Sequence, residues 1–391
     1  MDPKTIEQKS NLSRPFLSAK KLIFIVLALV IVIGLVVFSL TTILDQFSFS
    51  SLLGEIHSAF TDTTTKNTAI FMAILLVTYF FFKFFNVSIP YMIRLKALGI
   101  KVPLKEAILY YLTSAFLTAI SPGILLTEPY NMFWLKTQGV TTAQATAIVW
   151  INEFIYHTLI VFITLPAFIY LSTQFSAILT FNNKSGMLVI ILASIGMAID
   201  LMMFAFYWFS GFSKKFHYLL SRVFNRVKQF FHLQYHTKGE THQKYLIEGV
   251  LYKSAKHYLK QWKNNSYIAL VYLITTLLWF STMYASLVVV HFEGNTLFSF
   301  VNFIKVMGAV SVVTTANRYL PIPGGEGMMQ LQMRILLSYE NGNSVGIDNA
   351  IFMWRAATNY FPAIIGLGGF ITYLVFFVHA RKKKKPIFKE K

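Results

Sequence analysis

The sequence predicts an all-α polytopic membrane protein. It has about six full spans plus two re-entrant or broken helical hairpins, arranged as inverted repeats, with both termini cytoplasmic. Three observations predict this. Apolar residues make up 55% of the 391 and charged residues only 13%, against about 25% charged in an ordinary soluble domain. The apolar residues lie in blocks, and roughly 20 of them as helix cross a hydrocarbon core of about 30 Å. Two of the blocks are broken by proline and glycine. This composition excludes a soluble enzyme, a disordered tail and a fibrous protein. With no cysteine in the chain, disulfides, iron–sulfur clusters and cysteine-ligated zinc are excluded too.

In chain order, residues 1–21 form a basic N-terminus carrying Lys4, Lys9, Arg14, Lys20 and Lys21. The first span, 22–44, is too long for a removable signal peptide and lacks a small-residue cleavage site. Further spans cover 69–93, 143–171, 187–208, 267–292 and 350–378. The segment 107–126 is interrupted by Ser121-Pro122-Gly123, and 298–337 by Pro321-Ile322-Pro323-Gly324-Gly325. The chain therefore divides into a first transmembrane half (22–210, with hairpin 107–142) and a second (267–380, with hairpin 298–348). A basic amphipathic loop, 211–266, joins them, and a basic tail, 381–391, follows.

Lysine and arginine mark the cytoplasmic face. By that rule the N-terminus, the turn with Arg94, Lys96, Lys101 and Lys105, the loop 211–266 and the tail are inside. The stretch 45–67, with Asp45, Glu55 and Asp62 against Lys66, is outside. Each broken segment must then start and end on one face, the first inside and the second outside. The two share an order: apolar run, Pro-Gly break, acidic residue, polar turn, then a helix bearing Trp150 or Trp354. Two such units of opposite orientation are the inverted-repeat pattern of transporters. The net charge of +19 thus points to an anionic lipid face and not to nucleic acid.

A Pro-Gly break frees backbone groups that cannot face lipid, so they are buried in protein or line a wet cavity. The N–H groups at the next helix start can bind an anion. Charged residues at mid-membrane cost at least about 2.5 kcal/mol each and default to functional hypotheses. Those inside the apolar blocks are Lys83, Glu128, Glu153, Asp200, Lys305, Arg318, Glu326, Arg334 and Arg355. Glu128, Glu153, Arg318, Glu326 and Arg355 flank the breaks or open the following helices. They make a candidate headgroup site, with cations for a phosphate and carboxylates for an amine; buried structural ion pairs are the alternative. Lys83 can snorkel, and Asp200 lies off both hairpins. The aromatic and basic loop 211–266 reads as helices on the inner leaflet. His232 and His236 have ligand spacing but no third partner in register. No metal, cofactor or catalytic constellation is expected.

Residues 120–157, with Ser121-Pro122, Thr127-Glu128-Pro129, Leu135-Lys136, Gly139 and Glu153, resemble the first signature of a known family. It is the lysylphosphatidylglycerol synthase transmembrane (flippase-like) family. The stretch from Pro321 to Gln330 resembles its second, Pro-Gly-Gly-x-Gly-x-x-Glu. The layout matches over roughly residues 20–380. Leu126-Thr127 stand where the family usually has Gly-Gly, Gln330 replaces the terminal Glu, and Glu326 replaces an apolar residue.

The resemblance implies a lipid flippase-like domain without the soluble aminoacyltransferase domain that follows it in bifunctional synthases. Arg318 and Arg355 would hold phosphate, and Glu128, Glu153 and Glu326 would balance charge or hold an amine. Pro122, Gly123, Pro129, Pro321, Pro323, Gly324, Gly325 and Gly327 would shape the breaks. The expected ligand is an anionic phospholipid or glycolipid of lysylphosphatidylglycerol type, in a bacterial plasma membrane. Two other readings are a membrane-embedded transferase of the phosphatidylglycerol lysyltransferase type, and a scaffold whose basic loop recruits a separately encoded lipid synthase.

Overall fold

The computed structural model describes residues 49–61, 66–121, 126–174, 176–178, 183–213, 256–290, 300–319, 325, 327–341 and 346–382. The span at 22–44, most of the loop 211–266 and residues 383–391 lie outside them. Among the described residues the chain is helical throughout. The helices are α1 (Phe49–Thr61), α2 (Lys66–Ala97), α3 (Leu104–Ile120), α4 (Thr127–Thr137), α5 (Thr142–Ser172) and α6 (Asn183–Phe212). They continue as α7 (Trp262–Val289), α8 (Phe300–Arg318), α9 (Met328–Asn341), α10 (Gly346–Arg355), a π segment (Ala356–Tyr360) and α11 (Phe361–Lys382).

Six of these stretches are long and apolar enough to cross a membrane: Lys66–Ala97, Gln144–Ser172, Gly186–Phe209, Trp262–Val289, Phe300–Arg318 and Gly346–Val375. The protein is a multi-pass membrane protein. Their outer faces carry large apolar side chains open to lipid, such as Phe71, Phe81, Phe162, Met202 and Ile364. Two details differ from the sequence reading. The first arm of the second hairpin, α8, has 19 residues, about 28 Å of helix at 1.5 Å each, so it is itself long enough to cross. The last span is not one α-helix, because five of its residues, Ala356–Tyr360, form a π turn.

The helices repeat as two sets in the same order. A long helix (α2 or α7) leads to a hairpin arm (α3 or α8), a short return helix (α4 or α9) and a final long rod (α5 or α10–α11). Contacts between the sets are reciprocal: α2 packs on α7, α3 on α11, and α5 on α8. The rule that first meets first, while second meets fourth and fourth meets second, is the one a two-fold axis imposes. Details agree with it. Leu112, eight residues beyond Leu104, lies against Gly366 and Gly369 of α11. Gly308, eight residues beyond Phe300, lies against Ala167 of α5. Two main cores result, one around Tyr110, Trp134 and Ile151 with Ile268 and Tyr272 of α7 added, the other around Phe280, Met333 and Trp354 with Ile160 of α5 added.

Local chemistry fixes the first hairpin. Its mouth is closed by Gln138 Nε2 donating to Glu106 Oε2 at 3.2 Å. Midway, the Tyr110 hydroxyl donates to Asn131 Oδ1 at 2.6 Å, and its ring stacks on Trp134 at 4.1 Å. The segment thus leaves and returns at one end, as the charge pattern required. A capping box of Thr141 and Gln144 then starts α5; such a cap stabilises a helix start by about 1 kcal/mol.

Candidate functional site

A group of buried and half-buried polar side chains gathers around α5 near His157. His157 sits near the middle of that 31-residue helix, and Asp200 near the middle of the 30-residue α6. Asn152, His157 and Asp200 are buried. Glu128 lies in the first turn of α4, and Glu153, one turn before His157 on α5, begins a line of close polar groups. From Glu153 the line continues to His157, whose Nε2 is 3.8 Å from Glu153 Oε2. The other ring nitrogen, Nδ1, is 3.7 Å from Asp200 Oδ1. His157 also stacks on Tyr207, with ring centres 5.1 Å apart.

Asp200 is the partner of Arg318. The guanidinium Nη1 donates to Asp200 Oδ1 at 3.1 Å and to Oδ2 at 3.5 Å. Nη2 donates to the Tyr156 hydroxyl at 3.4 Å, and the guanidinium lies 5.3 Å from that ring's centre. The Tyr319 hydroxyl donates to Asp200 as well. Arg318 is the last residue of α8, so its cation also faces the negative end of that helix. A lone buried ion would cost several kcal/mol, and the pair with its extra donors offsets this.

Of the five predicted charged residues, the fold thus draws Glu153 and Arg318 toward one place: Glu153 is 3.8 Å from His157, and Arg318 reaches the same turn of α5 through Tyr156. Arg355 forms a second station. Its Nη1 lies 3.1 Å from Met329 Sδ in the first turn of α9, and its guanidinium sits 5.5 Å from the Trp354 ring centre. Glu326, Pro122, Gly123, Pro321, Pro323 and Gly324 lie outside the described residues. Pro129 is exposed in the first turn of α4. Gly325 and Gly327 have φ of +69° and +76°, backbone that L side chains rarely adopt. Asn317 and Gln332 then join the two arms of the second break, Nδ2 to Oε1, at 3.2 Å.

Several residues take places the sequence did not assign. Asp200 does not lie apart from the hairpins; it holds Arg318. Lys83 does not snorkel outward: its Nζ donates to the Thr358 carbonyl at 2.8 Å, inside the π segment. That segment frees backbone carbonyls, and the ammonium takes one of them. Arg94 is no solvated loop charge. It is fully buried, donating to Asn152 Oδ1 at 3.3 Å and Asn265 Oδ1 at 2.6 Å, with its guanidinium 5.6 Å from the Tyr258 ring centre. Tyr258 is accordingly buried and does not lie on a leaflet. Arg334 is half exposed and pairs with Asp348 at 3.3 Å. Gln330 donates to the Tyr360 hydroxyl at 3.3 Å.

A cavity of about 660 Å³ lies among α5, α7, α8 and α9, lined chiefly by apolar side chains such as Ile163, Tyr170, Phe280 and Phe300, with Lys305 among them. It lies about two to four turns beyond His157 along α5. Among the described residues no group of three or more His, Asp or Glu side chains could hold a metal ion; His232 and His236 lie outside them.

A family model described as the lysylphosphatidylglycerol synthase TM region matches residues 25–366. An uncharacterized protein of Mycoplasma pneumoniae, the MG306 homolog, is 23% identical over 291 residues, 73% of each chain. Uncharacterized protein MG306 of Mycoplasma genitalium is 21% identical over 285 residues, 71% of this chain and 72% of its own length.

Proposed function

Because the chain belongs to the lysylphosphatidylglycerol synthase transmembrane-region family, we propose that it moves a lipid headgroup across a bacterial plasma membrane. The observation that carries this reading is the line Glu153–His157–Asp200–Arg318 inside an apolar bundle, with His157 and Asp200 buried. A bundle needing only stability would fill that space with apolar side chains, which pack as well without the desolvation cost. A charged headgroup crossing the hydrocarbon needs polar partners on its way, and such a line supports that reading.

The roles divide between the two stations. Arg318 is engaged by Asp200, so its charge is compensated before any ligand arrives. Arg355, beside the first turn of α9, is the cation that takes phosphate. Glu128 and Glu153 take the amine of an aminoacyl or ethanolamine headgroup. The cavity lined by Ile163 and Phe280 takes an acyl chain while the headgroup is inside.

The test is reconstitution of the full chain in liposomes with acyl-chain-labelled lipids whose headgroups are intact. Quenching by external dithionite should reveal more than the outer half of the label, and Arg355→Gln and Glu153→Gln should return it to one half. Equal quenching in protein-free liposomes and in the wild type overturns the reading. One contact favours a transferase instead, namely His157 within 3.8 Å of Glu153, the setting of a general base. A new lipid on thin-layer plates from expressing cells, lost in His157→Gln, would establish that alternative.

A further inference from the structure

We infer that Glu153, His157 and Asp200 form a proton-exchange site, which gives up a proton when an ammonium-bearing headgroup binds and recovers it when the headgroup leaves. This rests on the headgroup reading above and adds what would drive it.

The argument begins with charge. Glu153, His157, Asp200 and Arg318 form a chain of close contacts inside the bundle, with His157 between the two carboxyls. Asp200 and Arg318 cancel. The Glu153 carboxylate, beside His157 at 3.8 Å, contributes one further negative charge. In a low-dielectric interior an uncompensated charge is costly, and two kinds of cation can remove it. One is a proton, on Glu153 or on His157. The other is the ligand's ammonium. They compete for one place, and competition is exchange. As the ammonium enters with its N–H bonds intact, one O–H or ring N–H bond of the cluster breaks and the proton passes to water. On release the same bond forms again. Each step leaves the buried charge unchanged.

The geometry of His157 supplies the path. It stands between Glu153 and Asp200 with a ring nitrogen toward each, at 3.8 and 3.7 Å. Its Nδ1 makes no hydrogen bond. A purely structural buried histidine would be hydrogen-bonded; here a small ring rotation or one water completes either link. The groups around it from the packed helices are Tyr156 on its own helix, Tyr207 on α6, Tyr272 on α7 behind Tyr156, and Arg318 with Tyr319 at the end of α8. The tyrosines are neutral near pH 7, so Arg318 is the charge that opposes a proton on the ring. Asp200 holds Arg318 and moderates that opposition.

The test measures protons directly. Dihexanoyl phosphatidylethanolamine is added to the full chain in weakly buffered detergent containing a pH indicator, with dihexanoyl phosphatidylglycerol as the amine-free comparison. The amine lipid should release about one proton per protein, and the amine-free lipid none. Glu153→Gln should abolish the release. His157→Gln and His157→Asn should slow it at least tenfold in stopped flow, with gel-filtration profiles confirming that both fold. No release from the wild type overturns the inference, as does equal release by both lipids. Proton release without lipid movement in liposomes would support exchange and remove only the translocation reading. Lipid movement without proton release would do the reverse.

Discussion

A Cβ added to Gly196 on α6 would stand 2.5 Å from Cα of Ala316 on α8. The two backbones touch there, and the polar centre follows from that contact. Asp200 is one turn beyond Gly196 on the same helix face, and Arg318 is two residues beyond Ala316. Small residues at a crossing let membrane helices approach closely, and here the approach brings the carboxylate to the guanidinium.

Gly196→Val should therefore separate the pair. Overpacking a close contact costs about 1–3 kcal/mol, so thermal unfolding in detergent should shift down clearly. Gly368→Ala is the control, since nothing lies within 4 Å of the added Cβ. Equal melting of the two variants would show that the crossing does not constrain α6 and α8.

Breaking the pair chemically gives a second expectation. Removing one partner of a buried pair costs about 3–5 kcal/mol, because the other charge is left behind. Asp200→Asn and Arg318→Gln should each destabilise strongly. The double variant should lose much less than their sum. A double-mutant cycle on unfolding midpoints reads the coupling, and additive losses would refute it.

At the second break, Gly325→Ala and Gly327→Ala should each destabilise by about 1–2 kcal/mol through the left-handed backbone alone. Gly325→Ala should be the worse, since its Cβ would also press on Asn317 Cβ at 3.1 Å. Melting curves of the two variants, compared directly, decide the order.

Lys83→Met removes the ammonium from the Thr358 carbonyl. The amides of Ala356–Tyr360 should then exchange with deuterium at least several-fold faster, while those of α5 keep their rate. Unchanged exchange at 356–360 would mean that the lysine does not hold the π turn.

The spans from residue 69 onward and the helix ends at both breaks were legible in the sequence, because length, hydropathy and the Pro-Gly interruptions are local properties of 107–126 and 298–337. So was the position of Arg318 at the edge of a break. The partner of Arg318 was not. Asp200 interrupts an apolar run with no periodic stripe to say which helix it will face, and the missing clue was Gly196, one turn before it. Arg94 misled for a related reason. Near a helix end with Lys96 it counts as a loop charge, and only the packing of Asn152, Tyr258 and Asn265 around it reveals burial. Lys83 needed a π turn on another rod, which no sequence pattern announces.

That π turn also sets angles. Each helical residue turns the chain by about 100°, and a π turn carries one residue more than an α turn. The faces of α11 are therefore rotated by about 100° from those an unbroken α10 would present. α10 lies on α7, whereas α11 lies on α3 with Gly366 and Gly369 toward Leu112. Ala356–Tyr360 thus acts as a phase shifter in one rod, letting its two ends dock against walls that a uniform helix could not address together.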